Sequence, residues 1–174
     1  MEFFEVIEKR RSIRKFADRP VEKEKIERII DAAVRAPSAR NSRSSEFIII
    51  SDRRLLARLS LAKPGGAAFI KDAPLAIVVY ADPQKSHLCI DNAAISAVYI
   101  QLAAQALGLG SCWSHMQGNS HNEQQSSNEY LADLLHTPRH LEAECIIAIG
   151  YPDEEKAPYA RDELPTNVVH WDKY

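Results

Sequence analysis

The spacing of apolar side chains along this chain changes between helical and extended periods several times. Phe3, Phe4, Val6 and Ile7 fall on one helical face, and the SIRKF that follows keeps only Ile13 and Phe16 as apolar anchors. After Pro20, the set Ile26, Ile29, Ile30, Ala33 and Val34 recurs at three and four residues. That spacing predicts a second helix, which should stop at Ala36 because Pro37 disfavours helical geometry in the residue before it. APSARNSRSS reads as a loop. FIII (47–50) and LAIVVYA (75–81) read as buried strands, with RRLLARLSLA between them as a helix and KPGG as a break. DNAAISAVYIQLAAQALGLG (91–110) is the longest element, alanine-rich and apolar nearly all round. Asp91, Asn92, Gln101 and Gln105 interrupt it, so it predicts a helix buried inside the protein or between subunits rather than a membrane span. SCWSHM is then a strand, 117–129 a solvated loop or flexible lid, YLADLL a short helix ended by Pro138, and ECIIAIGYP a last strand. The tail, from about 152 to 174, carries Val168, Val169 and Trp171, an apolar cluster expected to dock on its own domain or on a partner subunit. The alternation of helices and strands predicts a layered α/β arrangement. No repeat or linker divides the chain, so residues 1–174 are read as one domain.

Composition narrows the function classes. With 174 residues, 45% apolar and 26% charged, the chain has the profile of a soluble domain able to bury a core, which argues against disorder and membrane spanning. MEFFEVIEKRR holds no extended apolar region and no small-residue cleavage site, so a cytoplasmic protein is expected. Cys89, Cys112 and Cys145 form no C-x-x-C pair and read as core residues. No metal site is expected, since His136 and His140 stand four apart only across Pro138. Phosphate-binding glycine loops and the nucleophile-elbow and zincin motifs are absent from the sequence, and ALGLGS closes a helix instead of opening one.

The charge is uneven. EKRRSIRKF (8–16) holds five cations, Lys9, Arg10, Arg11, Arg14 and Lys15, in a chain of net charge −2. So local a cluster points to a small target rather than to nucleic acid. Read alone, it is either the solvated end of a helix or a phosphate grip, in which planar arginine forks and the Ser12 hydroxyl engage the same anion.

RRSIRKF, APSARN, LAAQALGLGSCW and IAIGYP with a tail ending VVHW, in this order and at these separations, resemble the FMN-dependent nitroreductase family over essentially the whole chain. The resemblance implies an α+β fold, a three-layer sandwich of helices around a mainly antiparallel sheet, assembled as an intertwined homodimer. It implies that Arg10, Arg11 and Ser12 hold the FMN phosphate and ribityl chain, that Arg14 lies near flavin N1 and O2, and that Arg161 makes a second phosphate contact. Pro37, Ser38, Ala39 and Asn41 would reach the flavin of the other subunit, and Trp113, Ser114 and His115 would lie against the isoalloxazine. The implied activity is hydride transfer from NADH or NADPH through flavin N5 to a small oxidised acceptor of the nitroaromatic, quinone or flavin class. The cofactor carries the redox chemistry, so no catalytic acid or base is named. Other readings are a flavin-binding or redox-sensing module without turnover, and flavin fragmentation or dehalogenation on the same fold. Two departures stand out. Arg43, Ser44 and Ser45 replace the family's Gln-Pro-Trp, which predicts a wider acceptor pocket favouring anions. Near the long helix, Asp91, Asn92 and Tyr99 replace an acidic pair and a later asparagine.

Overall fold

The computed structural model describes residues 1–174. Four strands form its sheet: β1 (Ser45–Ile50), β2 (Leu75–Ala81), β3 (Gly110–His115) and β4 (Glu142–Gly150), in the order β1-β2-β4-β3. Every neighbouring pair is antiparallel, as the resemblance implies and as alternation of elements alone does not. The helices are α1 (Phe3–Lys9), α2 (Lys23–Val34), α3 (Arg53–Leu59), α4 (Cys89–Ala106) and α5 (Ser127–Leu135).

Strand periodicity explains the layering. In β2, Leu75, Ile77, Val79 and Ala81 face a core shared with Ile29 and Ala33 of α2 and Ala93, Ala97, Ile100 and Ala104 of α4. Ala76, Val78 and Tyr80 face the opposite core, built with Leu56 and Leu59 of α3, Leu131 and Leu134 of α5, and Ile13 and Phe16. Both faces of the central strands are therefore covered, which is why they read as continuous apolar runs. Each fully buried Ile or Leu contributes about 1.5–3 kcal/mol. The result is an α+β sandwich of three layers.

Several boundaries differ from the sequence expectation. The second helix ends at Val34 rather than Ala36. α4 starts two residues early, at Cys89, and closes where Gly108 takes φ +75°. The polar segment after β3 is not a free lid. His121 Nδ1 lies 2.7 Å from the Leu61 carbonyl oxygen, its ring stacks on Tyr130, and Ser127 Oγ donates to Ala62 O at 2.8 Å. Ser126 caps α5 with a reciprocal Glu129 bond, so residues 127–129 are already helix. The tail end does not dock on its own domain, because Val168, Val169 and Trp171 are all exposed, Trp171 by 87%. No helix is long and apolar enough to cross a membrane.

Candidate functional site

α1 ends at the basic cluster, and the chain then runs extended along the start of β3. Ser12 bridges Ser111 in parallel, and Ile13 N donates to Ser111 O at 3.0 Å. Ile13 is buried beneath this bridge and fixes the register, so Arg10, Arg11 and Ser12 are held half-buried above the sheet edge while Arg14 and Lys15 remain exposed. The chain just beyond β4 returns against the same segment. Phe16 bridges Pro152, and Asp153 N donates to Lys15 O at 2.9 Å. The Glu154 carboxylate accepts from the backbone N–H groups of Arg14 and Lys15, which holds its pKa below the ordinary value. Lys156 Nζ donates to Ser12 O at 2.6 Å, and Arg11 donates to Ala157 O while its guanidinium lies 4.0 Å from the Tyr159 ring centre. Arg161 follows two residues later in an exposed turn without an ion pair. Lys156 is thus a further cation at the cluster that sequence reading missed, because in DEEKAP it sits in an acidic stretch read only as tail.

At the far end of β3, Ser114 is buried and its Oγ donates to Gly66 O at 2.9 Å, while Lys63 Nζ donates to His115 O at 2.8 Å. The KPGG break therefore wraps the strand end. Arg14 lies 5.9 Å from the ring centre of Phe69 in the turn after it. Trp113 packs its half-buried ring against the α4 side of the sheet. Beneath the exposed His115 ring lies the buried side chain of Glu144.

The Pro37–Asn41 loop belongs to a different part of the chain. Asn92 of α4, 2% exposed, organises it: its Oδ1 accepts from Ala39 N at 2.9 Å, and its Nδ2 donates to Ser44 Oγ at 2.8 Å and Ser42 Oγ at 3.2 Å. Ser38 Oγ accepts from Arg43 N at 3.0 Å. These bonds hold Arg40, Asn41 and Arg43 at φ +53°, +54° and +48°, a left-handed geometry that side-chain-bearing residues adopt at a cost of about 1–3 kcal/mol each. Three such residues in four positions mark a loop shaped for something other than stability. It borders a cavity of about 580 Å³ lined by Pro37, Ser38, Asn41, Arg43, Phe47 and Ser96 among others, and by no carboxylate. The serines that replace the family's Pro-Trp do not simply widen this space. Ser44 is fully buried under Asn92, and Ser45 Oγ lies 3.2 Å from Ser96 Oγ.

One chain therefore brings the expected residues together in two groups, Arg10, Arg11, Ser12 and Arg14 with β3 and the tail, and Pro37, Ser38, Ala39 and Asn41 at the cavity near α4. No hydrogen bond joins the groups, and the cavity at the second group is not lined by any residue of the first. The first group suits the phosphate end of a flavin mononucleotide, with arginine forks, a hydroxyl and a lysine against a compact dianion. The three cysteines, by contrast, are separate buried thiols.

Comparison with known proteins adds identity to this geometry. The family model described as "Nitroreductase family" matches residues 7–63 and 60–151. A solved structure described as an FMN-dependent nitroreductase from Clostridium difficile R20291 is 44% identical, with a TM-score of 0.95, covering 97% of this chain and 98% of that one. A protein of Methanothermobacter thermautotrophicus, provisionally described as an NADH dehydrogenase/NAD(P)H nitroreductase, is 34% identical across 100% of this chain and 88% of its own length. The NADH dehydrogenase of Thermus thermophilus is 28% identical across 94% of this chain and 92% of its own. With the match running from the basic N-terminal cluster through the end of β4, this chain belongs to the nitroreductase family.

Proposed function

We propose that the protein is an FMN-dependent oxidoreductase that takes hydride from NADH or NADPH and reduces a small oxidised acceptor of the quinone, nitroaromatic or flavin class. The observation that carries this reading is the basic cluster itself, three arginines and Lys156 assembled around Ser12 by the bridge to β3 and the returning tail. Kinship with a structure described as an FMN-dependent nitroreductase supports the same cofactor. Arg10, Arg11, Ser12 and Lys156 hold the phosphate, and Arg161 reaches it from the tail. When bound, FMN supplies the two-electron chemistry at N5. Arg14 sets a positive charge beside the pyrimidine edge, where reduction places negative charge, with its guanidinium over the Phe69 ring.

The second group of residues completes the site from a second copy. α1 exposes Phe3, Phe4 and Ile7, and α4 exposes Ile95, Val98 and Tyr99, with Leu88 exposed just before it. Apolar faces of this extent on a chain this small suit a homodimer interface, and the unpacked tail end supplies a strap for it. In that homodimer the Asn92-braced loop of one protomer faces the cation cluster of the other.

The test is to purify the protein, record its visible spectrum, and add NADH or NADPH without oxygen. A yellow protein that bleaches on addition and recovers with a quinone is expected. A flavin that stays oxidised would leave a binding or sensing module, and a colourless protein that fails to take up FMN would refute the reading.

A further inference from the structure

Glu144 is the third residue of the central strand β4, just before its apolar run Cys145–Ile149, and its side chain is only 4% exposed. A β-bulge puts it there. The β2–β4 register jumps between Val79↔Cys145 and Tyr80↔Ala143, so Glu144 is the extra residue, and bulges of this kind re-aim side chains beside functional sites. Its carbonyl oxygen accepts from Met116 N at 2.9 Å and Gln117 N at 3.2 Å, folding the end of β3 around it. Its Oε1 lies 3.6 Å from His115 Nδ1, and its Oε2 has no partner. A buried carboxyl oxygen without a partner is costly and calls for an explanation.

Lys63 Nζ fixes the His115 backbone carbonyl oxygen at 2.8 Å, and the Glu144 carboxyl faces Nδ1 at ion-pair distance, while Nε2 has no protein partner and the ring is 47% exposed. The charged and titratable groups around the pair are Lys63 from the turn after α3, Asp91 from α4 and the Cys145 thiol on Glu144's own strand. Burial pushes the Glu144 carboxyl up, while the facing imidazole draws it down.

We propose that Glu144 positions His115 as a proton donor to the acceptor during its reduction. The inference rests on the reading above that places the end of β3 against the flavin. The step balances for a quinone. Bound FMN, once reduced by NAD(P)H, would supply the quinone ring with a hydride, that is two electrons and one proton. The resulting hydroquinone anion takes its second proton from His115 Nε2, and His115 regains a proton from water at its exposed edge. Glu144 faces the ring at Nδ1 and offsets its charge while the proton is held.

Two readouts decide the matter on flavin-loaded protein. The first is a ¹³C NMR titration of the Glu144 carboxyl in wild type and His115→Gln. Loss of the imidazole should move the Glu144 midpoint upward, and an unmoved midpoint overturns the pair. The second is turnover with benzoquinone relative to ferricyanide, which takes electrons without a proton. His115→Gln should lower that ratio by about a hundredfold and Glu144→Gln by about tenfold, with the pH dependence of quinone reduction displaced in Glu144→Gln. A ratio unchanged in both variants overturns the proton role. If wild type reduces neither acceptor, the oxidoreductase reading fails and the proton role with it, while the carboxyl titration still decides whether the pair exists.

Discussion

Gly110 opens β3 directly beneath the basic cluster, and a side chain there would strike the residue that sets the cluster's register. A Cβ on Gly110 would lie 2.8 Å from Ile13 Cβ and 2.9 Å from both Cγ1 and Cγ2. Because the nearest atom is Ile13 Cβ, no change of rotamer relieves the overlap, and the 11–13 segment must retreat by about 0.6 Å to reach ordinary contact near 3.4 Å. The Ile13 N to Ser111 O bond, now 3.0 Å, would stretch to about 3.6 Å and cease to be a hydrogen bond. Overpacking of this kind costs about 1–3 kcal/mol, and each kcal/mol lowers Tm by about 2–4 °C for a chain of this length. Gly110→Ala should therefore melt several degrees lower. It should also misplace Arg10–Ser12 against the phosphate. Losing one charge-assisted contact worth about 1.5–3 kcal/mol weakens FMN by roughly ten- to a hundredfold, with riboflavin, which lacks the phosphate, much less affected. Fluorescence titration of the apoprotein with both ligands reads the ratio. Gly108→Ala is the control. It meets no atom within 4 Å but requires φ +75°, so it should lose about 1 kcal/mol of stability and leave the ratio alone. A Gly110→Ala protein with wild-type Tm and an unchanged FMN-to-riboflavin ratio would refute the argument.

Other outcomes follow from the same contacts. Val98→Glu, on the exposed apolar face of α4, should shift sedimentation at micromolar concentration from dimer to monomer with loss of bound FMN; a monomeric wild type that still holds FMN would contradict the shared site. Glu154's pKa is depressed below 4.5, first by the Arg14 N–H bond, so its stabilisation is present above that value and disappears as pH falls through the lower folded-state pKa. Wild type should thus lose more Tm than Glu154→Gln on acidification below pH 4.5, and parallel curves would remove Glu154 as the clamp. Glu144's pKa is raised by burial, so its contribution is present below 4.5 and lost as pH rises through the higher folded-state pKa. Glu144→Gln should match wild type at pH 4.5 and exceed it by about 2–4 °C at pH 8, for about 1 kcal/mol of relieved burial. Arg43→Gln should erase any preference for an anionic over a neutral quinone, and salt should erode the same preference in wild type; unchanged ratios would take Arg43 out of acceptor choice.

The sequence by itself determined the elements. The three- and four-residue spacing of Ile26 to Val34 and the largely apolar segments 47–50, 75–81 and 144–152 specify helix and strands, because side-chain burial in each follows a local period. The order of four short motifs was enough to reveal the family. The cluster of arginines was legible because five cations in nine residues of an acidic chain stand out without any coordinates. Strand direction, by contrast, is set by which edges pair across dozens of residues, and alternation of helices and strands is the same for parallel and antiparallel solutions. The residues that serve the site through others were equally hidden. Asn92 read as an interruption of an apolar helix, yet its three side-chain bonds reach residues 39, 42 and 44. Lys156 read as tail until the chain beyond β4 folded back to Ser12. Glu144 read only as the first residue of the strand ECIIAIGYP, and the bulge decides that it points at His115 rather than at solvent. Local periods are written in neighbouring residues, whereas a buried polar group acquires its meaning from partners that only the tertiary structure brings within hydrogen-bonding reach.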